Sequence, residues 1–530
     1  MKWRSELMFC LLPFLCLLSC TEVEENLVGE ITEWDESIVE DWGSGPVSTV
    51  PNIYHSLRGA GTADHGGYFT LQEVTSDEMF IGIKGSDWTS NGSLASLHQH
   101  TWTPNSSNIL SAWRITYSAI NAVNEQFEND WLDEEEIPQA RALRAYYYWR
   151  LLDLYGRVKL VTDTAPNPSQ SSRQEVFDFV EQELLGALGI AGLNTDIDLS
   201  NSALPVDQPP HTINRYVALG LLAKLYLNAE VYTGVPRYEE ALIAANFIID
   251  SGYYQLCKEG CRVINLGRRL GVSSDPEYLE GYPAVFAPNN EGNSEHIFTI
   301  RYDETTNIGM HFAQMNLHSS SQLSWQLDEQ PWNGYATVEE FYNSYNTDDL
   351  RHKASFLVGP QLDFTGSALL DYQSDDDNIE LNYTPEVNEL APNTLREAGA
   401  RAAKFSFKLY GKRAMENDFP IIRLGEIYLI RGEARARLGN SWAAAESDVN
   451  ILRARAGMPT YSGTLTAEEF LAERGREMFQ ETARRTDLIR FGKFNDAWWE
   501  KPASAEYRNV FPIPQVILDT DPSMTQNPGY

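Results

Sequence analysis

The stretch that decides the fold is PQARALRAYYYWRLLDLYG, residues 138–156. Ala140, Leu143, Tyr147, Leu151 and Leu154 recur three and four residues apart, which puts them on one face of a helix. Pro138 suits the first turn, where its missing N–H costs nothing, and Gly156 suits the stop. Just upstream, Trp113, Tyr117, Ile120 and Asn124 repeat the spacing, and the acidic stretch 130–136 separates the two segments. Two helices with so short a connection form an αα-hairpin.

The pattern returns on both sides of a long interruption. Residues 176–188 are amphipathic, 213–232 read as a second long helix, and 238–249 follow and stop at Gly252. Towards the C-terminus, Ile427, Ile430, Ala434 and Leu438 form one helix before Gly439. Ala445, Val449, Leu452 and Ala456 form another before Gly457, and a third is expected from about Ala467 to Phe491. Ala-rich pairs of this length resemble tetratricopeptide-type repeats, without a strict 34-residue register. The expected fold class is therefore mainly α. Residues 46–106 and 256–419 instead carry frequent Gly, Asn, Asp, Ser and Pro, with single aromatics in polar surroundings. Irregular insertions of that length in a helical body usually serve function.

The first twenty residues read as an export signal. Lys2 and Arg4 precede a 12-residue apolar run from Leu7 to Leu18, too short to span a bilayer as a helix. The run ends in Leu17-Leu18-Ser19-Cys20, similar to a lipobox, with Cys20 as the lipidated first residue of the mature chain; ordinary cleavage nearby is the alternative. Residues 1–19 are then the signal peptide, 20–45 an acidic tether and 46–530 one folded domain. Acyl chains would anchor the protein to a membrane that it does not cross.

Charge narrows the partners. The 530 residues include 41 Lys and Arg against 75 Asp and Glu, a net charge of −34, so nucleic acid and anionic lipid are disfavoured. A hydrophobic content of 42% with 12% aromatics is ample for a packed core. Apart from Cys20 and two cysteines in the signal, only Cys257 and Cys261 occur, and outside a reducing compartment their spacing allows a small disulfide.

Several ordered motifs carry a resemblance. They are Trp113-x3-Tyr117-x2-Ile120-Asn121, then Ala142-Leu143-Arg144-Ala145-Tyr146-Tyr147-Tyr148 leading to Leu154-Tyr155-Gly156. Arg423-Leu424-Gly425-Glu426-Ile427-Tyr428-Leu429 and Asn450-x2-Arg453-x-Arg455-Ala456-Gly457 follow. Glu473-Arg474-x2-Glu477, Arg485-x-Asp487-Leu488-Ile489-Arg490-Phe491-Gly492, Phe511-Pro512-Ile513-Pro514 and the terminal Gln526-Asn527-Pro528-Gly529-Tyr530 complete the set. Together with the lipobox, the chain resembles the SusD/RagB family of Bacteroidetes outer-membrane lipoproteins. Thr482-Ala483 departs from the pattern, where glycine commonly precedes the arginine, and Asp521 stands where Asn usually precedes Pro522. The resemblance implies four tetratricopeptide-like helix pairs and a loop-rich half that carries the ligand surface. It also implies exposure at the cell surface, a glycan ligand, and a SusC-like TonB-dependent transporter as partner.

A glycan offers C–H faces that stack on aromatic rings and hydroxyls that need polar partners. Trp88 fits this requirement, in Asp87-Trp88-Thr89-Ser90-Asn91-Gly92, with Asp87 and Asn91 as flanking polar groups; a loop anchor folded back on the body is the alternative. Trp325, Trp332 and Tyr335 lie in the long insertion, where the resemblance places part of the platform, although Pro331-Trp332-Asn333-Gly334-Tyr335 also reads as a turn entering a strand. Trp113, Trp149 and Trp442 fall on helices and read as core, and Trp498, Trp499 and Phe494 as packing against the chain end.

Other constellations read as structural. His98 and His100 would share one face of a strand, but without a third ligand they are expected to be hydrogen-bonded structural residues. Asp375, Asp376, Asp377, Asn378 and Glu380 lack the glycine of a calcium loop and read as a solvated acidic loop. Glu473, Arg474, Glu477, Arg484, Arg485 and Asp487 read as an ion-pair network fixing the last helices. No GxSxG, HExxH or P-loop occurs, so no catalytic residue, metal or cofactor is assigned.

The reading is a non-catalytic surface protein that captures a glycan, expected to be neutral on electrostatic grounds and of β-glucan type, and passes it to the transporter. A docking scaffold without a sugar site is the alternative. A glycoside hydrolase, needing two carboxylates at defined separation, stands behind both.

Overall fold

The computed structural model describes residues 52–162, 167–267, 277–305, 309–374 and 379–530. Cys20, the signal, the tether and the 375–378 segment lie outside these residues.

The helices expected from periodicity form, and local chemistry sets their ends. Helix α1 spans Ser107–Glu128 and α2 spans Glu136–Tyr155. α2 starts two residues before Pro138 because the Asp133 carboxylate accepts from the Glu135 and Glu136 amides, both at 2.9 Å. Gly156 ends it at φ +71°, in the left-handed half of backbone space that glycine enters freely. Helix α3 (Arg173–Leu188) opens on a capping box between Ser172 and Glu175. Helix α4 (Arg215–Leu227) is capped by the Asn214 side chain, and α5 covers Tyr238–Asp250.

After the long interruption come α6 (Leu424–Leu438), α7 (Glu446–Arg455), α8 (Ala467–Met478) and α9 (Arg484–Arg490). Each of α1 to α9 packs against the next, and this includes α5 against α6, although more than 170 residues separate them. The sequence suggested two separate helical parts. Instead, the loop-rich insertion is threaded between the two helices of one pair, and the stack of pairs continues across it. Four successive pairs from α1 to α8 fit the tetratricopeptide-like description.

Two expected helices are broken. The 213–232 segment divides at Asn228, whose side chain accepts from Arg490 at 2.8 Å. The 467–491 segment divides at residues 479–483, where Gln480 and Thr482 have φ of +62° and +60°. Thr482 thus takes the left-handed conformation at the place where the sequence departs from glycine, at a cost of roughly 1–2 kcal/mol. The turn is held because the Thr482 amide donates to Glu73 at 2.6 Å and Glu481 is swung onto Arg423.

That turn closes a buried ionic junction. Strand β2 (His296–Ile300) pairs antiparallel with β4 (Phe419–Arg423), and β4 runs directly into α6. Arg423 donates to Glu295 at 2.9 Å, Glu477 at 2.7 Å and Glu481 at 2.6 Å. Arg455 bridges Glu295 and Glu477, Arg351 bridges Asp349, Glu473 and Glu477, and Lys404 pairs with Glu481. All of these side chains are buried. The expected network therefore exists, and it extends beyond the last helices to residues 295, 349, 351, 404 and 423. Even so, Burial resists the charge on Glu477, but Arg455, Arg423 and Arg351 outweigh it and hold the carboxyl far below its ordinary range.

One hydrophobic core runs through the helical and loop-rich parts alike, from Ile53 to Met524. Trp113 and Trp149 are buried, and Trp442 is half-buried between Phe470 and Phe491, at 5.0 and 5.4 Å. Cys257 and Cys261 form a disulfide. Among the described residues no helix is long and apolar enough to cross a membrane.

Candidate glycan-binding face

The face is assembled by a two-stranded ladder. Strand β1 (Met79–Ile81) pairs antiparallel with β3 (Tyr335–Thr337), and Ile81 lies opposite Tyr335. The chain leaving Ile81 and the chain entering Tyr335 therefore emerge at the same end of the ladder. Trp88 follows Ile81 by seven residues and Trp332 precedes Tyr335 by three, so both loops project together. The Trp88 amide donates to the Trp332 carbonyl at 3.3 Å, and the indoles lie 5.5 Å apart, tilted by 59°. Both rings are half-buried, each with part of its surface open.

Several constraints hold these rings. Gly334 passes so close beneath Trp88 that a Cβ there would fall 2.6 Å from its Cε3 atom. Asn333 turns the chain with φ +53°; its amide donates to Asp87 at 2.8 Å, and its oxygen accepts from Arg401 at 2.9 Å. The Lys84 ammonium, fully buried, donates to the Asn333 and Gly334 carbonyls at 2.9 and 2.8 Å. Ser90, Asn91 and Gly92 in succession adopt positive φ (49°, 54° and 76°), a tight turn that leaves Asn91 exposed. The Arg413 guanidinium lies 5.7 Å from the Trp332 ring centroid.

The candidate residues thus divide. Trp88 and Trp332 converge, and Asn91 is exposed in the turn that follows Trp88. Tyr335 is 0% exposed and stacks under Trp88 at 5.9 Å, with its hydroxyl on Thr70 at 2.6 Å. It supports the platform and has no face to offer, because its place in the ladder turns it into the core. Asp87 is spent as well: its carboxylate is buried between Asn333 and Arg396, and Arg396 also holds Asp371 at 2.8 Å. Trp325 belongs to another patch. It packs on Phe407 at 5.4 Å, and its carbonyl accepts from Tyr410, which is 57% exposed and lies 5.9 Å from Phe364. No ring contact joins it to Trp88 or Trp332 among the described residues.

Three residues at the platform were not singled out from sequence. His65 meets Trp88 and Trp332 edge-on at 5.1 and 5.2 Å, His311 lies 6.3 Å from Trp332, and Asp64 links the two imidazoles. Burial opposes the charge on Asp64, but hydrogen bonds from His311 and His65 outweigh it and hold the carboxyl well below the usual range. The only signal was the general look of residues 59–104, rich in glycine and polar groups.

His98 and His100 are structural, as expected, but not on a strand. His98 ends a helix over Ser93–His98, and His100 sits in a turn at φ +55°. Both are buried; His98 bonds the Trp499 carbonyl at 2.8 Å, and His100 bonds Ser504 and the Thr75 carbonyl at 3.0 and 2.9 Å. Burial lowers them to about 4 and about 2, so both are neutral near pH 7. Trp498 and Trp499 pack on these imidazoles and on Phe80.

Residues 294–530, which include β4, α6 to α9 and Trp332, match the model of the SusD family. Over this C-terminal part the chain is similar to the SusD family. The starch-binding protein SusD of Bacteroides thetaiotaomicron is 26% identical, over 89% of this chain and 88% of that protein. The SusD-like protein P38 of Formosa agariphila is 25% identical, over 81% of each. Among solved structures, surface glycan-binding protein A from Bacteroides thetaiotaomicron in complex with laminarihexaose superposes with a TM-score of 0.66 at 19% identity. It covers 93% of this chain and 99% of that one. A laminarin-binding SusD-like protein gives 0.65 at 21%, covering 94% and 99%. The SusD fold thus accounts for the helical pairs and the loop-rich insertion, and the starch-binding, surface glycan-binding and laminarin-binding relatives are named for binding, in line with a non-catalytic chain.

Proposed function

We propose that the chain is a cell-surface glycan-binding lipoprotein, anchored through Cys20, that captures a neutral glycan and passes it to a SusC-like TonB-dependent transporter in the outer membrane. The observation that carries this reading is the pair of half-open indoles, Trp88 and Trp332, held 5.5 Å apart on a rigid ladder. Stacking needs a flat ring that loses little entropy when the sugar arrives; Trp88 is fixed from below by Gly334 and Tyr335, and Trp332 is set against His65 and Arg413. Asn91 and Arg413 supply hydrogen-bonding groups at the rim, and Trp325 with Tyr410 gives a second contact for a longer chain. The acidic surface favours a glycan without carboxylates or sulfates. A β-glucan is the proposed ligand; starch and laminarin, named for the relatives, head the panel.

The test is native electrophoresis of the full chain through gels containing starch, laminarin or an anionic polysaccharide. Retardation by a neutral glucan, lost in Trp88→Ala and in Trp332→Ala, is the expected result. Free migration in every gel of a broad glycan panel, or release of reducing ends on incubation, overturns the proposal.

A further inference from the structure

We propose that Asp64, His65 and His311 form a site for one divalent ion of the zinc class, set against the edge of the tryptophan platform. One ligand atom from each residue lies within 4.8 Å of the other two. Oδ1 of Asp64 is 2.5 Å from Nδ1 of His65 and 3.1 Å from Nδ1 of His311. Two imidazole nitrogens and one carboxylate suit zinc, cobalt or nickel; calcium and magnesium prefer oxygen ligands throughout. With metal–ligand bonds of about 2.0–2.1 Å, ligand atoms around a tetrahedral ion lie roughly 3.3 Å apart. The 2.5 and 3.1 Å spacings both fall short of that value, so the two imidazoles must draw back slightly from Asp64 to admit the ion.

The backbone already makes the arrangement. The His311 amide donates to the Ala63 carbonyl at 3.1 Å, which pins the two ligand-bearing segments together independently of the side chains. On the other segment, the His65 amide donates to Asp64 at 2.7 Å, Thr70 donates to the His65 carbonyl at 2.6 Å, and Ser111 holds the Gly66 carbonyl. Gly61 and Gly67 cross so closely that a Cβ on Gly61 would fall 2.8 Å from the Gly67 Cα. The entropy of gathering the ligands is thus spent on folding.

Among the described residues, Nδ1 is the hydrogen-bonded ring nitrogen of His311, and its buried Nε2 has no partner. Exchanging the Asp64 hydrogen bond for a metal bond therefore breaks nothing else in that ring. Binding requires each neutral imidazole to carry its single proton on Nε2, so the Nδ1 proton passes to Nε2 and the Nδ1 lone pair goes to the ion. The side chains of Asp64 and His65 are 33% and 36% exposed, which gives the ion a way in and leaves its fourth position to water.

The full chain, stripped with a chelator, would be titrated with Zn²⁺ by calorimetry and with Co²⁺ by visible absorption. The expected result is one ion per chain, with the intense visible bands of low-coordinate cobalt. Affinity should fall at least about tenfold in His65→Ala and in His311→Ala, and stay unchanged in His352→Gln. Absence of stoichiometric uptake by the wild-type protein, or uptake unaltered in His65→Ala, overturns the site and leaves a hydrogen-bonded His–Asp–His cluster. His65 is the most exposed of the three, so its variant remains informative if His311→Ala does not fold. Neither readout involves glycan, so this site and the glycan reading can fail separately.

Discussion

The ionic junction and the tryptophan platform are both dense in groups that sequence reading associates with function, yet only one is open for use. At the junction Arg351, Arg423, Arg455, Glu295, Glu477 and Glu481 are buried and paired within the network. At the platform Trp88 and Trp332 keep part of each ring open, and Asn91 faces solvent. What separates them is unspent capacity: a side chain whose partners are all internal fixes the fold, and one with an unpartnered face can bind.

Breaking the junction should have the largest effect. Arg423→Met leaves Glu295, Glu477 and Glu481 without their shared cation, and loss of one partner from a buried network costs about 3–5 kcal/mol. Chemical denaturation should show that loss, while glycan retention of the remaining folded protein is unchanged.

Trp332→Ala should do the reverse. Affinity for a retained glucan should fall at least about tenfold, or ~1.4 kcal/mol, with the denaturation midpoint moving far less than in Arg423→Met. Calorimetry on the same glycan measures it.

Gly334→Ala sharpens the contrast, because the added methyl touches no sugar. Its Cβ would fall 2.6 Å from Trp88, so the indole must shift. Glycan affinity should drop severalfold, with an accompanying change in tryptophan fluorescence.

The smallest effect concerns the buried carboxyl pair Glu73 and Glu78, with Arg484 lying 3.7 Å from Glu78. Burial pushes Glu73 up to about 7, partly offset by the Thr482 amide, and burial and Glu73 drive Glu78 well above its ordinary value. Glu73 is protonated in the folded chain but ionised in the unfolded chain between its unfolded value of about 4.3 and about 7. Unfolding releases a proton in that window, so stability should fall as pH rises through it and level off above. Glu73→Gln, which keeps the oxygen that accepts from Thr482, should flatten the profile when unfolding is followed against pH.

Most of the helical frame was legible in the sequence. The faces of α2 and α5, the stops at Gly156 and Gly252 and the structural roles of Trp113, Trp149 and His98 all follow from local pattern. The broken helices at Asn228 and at Gln480–Thr482 were not legible, because Arg490, Arg423 and Glu73, remote in the chain, hold those breaks. At the candidate site, Trp88 stood out as an aromatic in a polar turn. Asp87 read as a flanking polar group and Tyr335 as either platform or strand, and it is Arg396 and Thr70, remote in the chain, that engage them.

Taken alone, the amino-acid order determined where helices run, where they stop and which aromatics stand in irregular segments. These are properties of hydrogen bonds and side-chain spacing within a few residues. Tertiary structure decided that α5 pairs with α6 across the insertion, that Trp88 meets Trp332 while Trp325 does not, and that Asp64, His65 and His311 converge. Those outcomes depend on the register of β1 against β3 and on loops meeting from distant parts of the chain, and no local period encodes them.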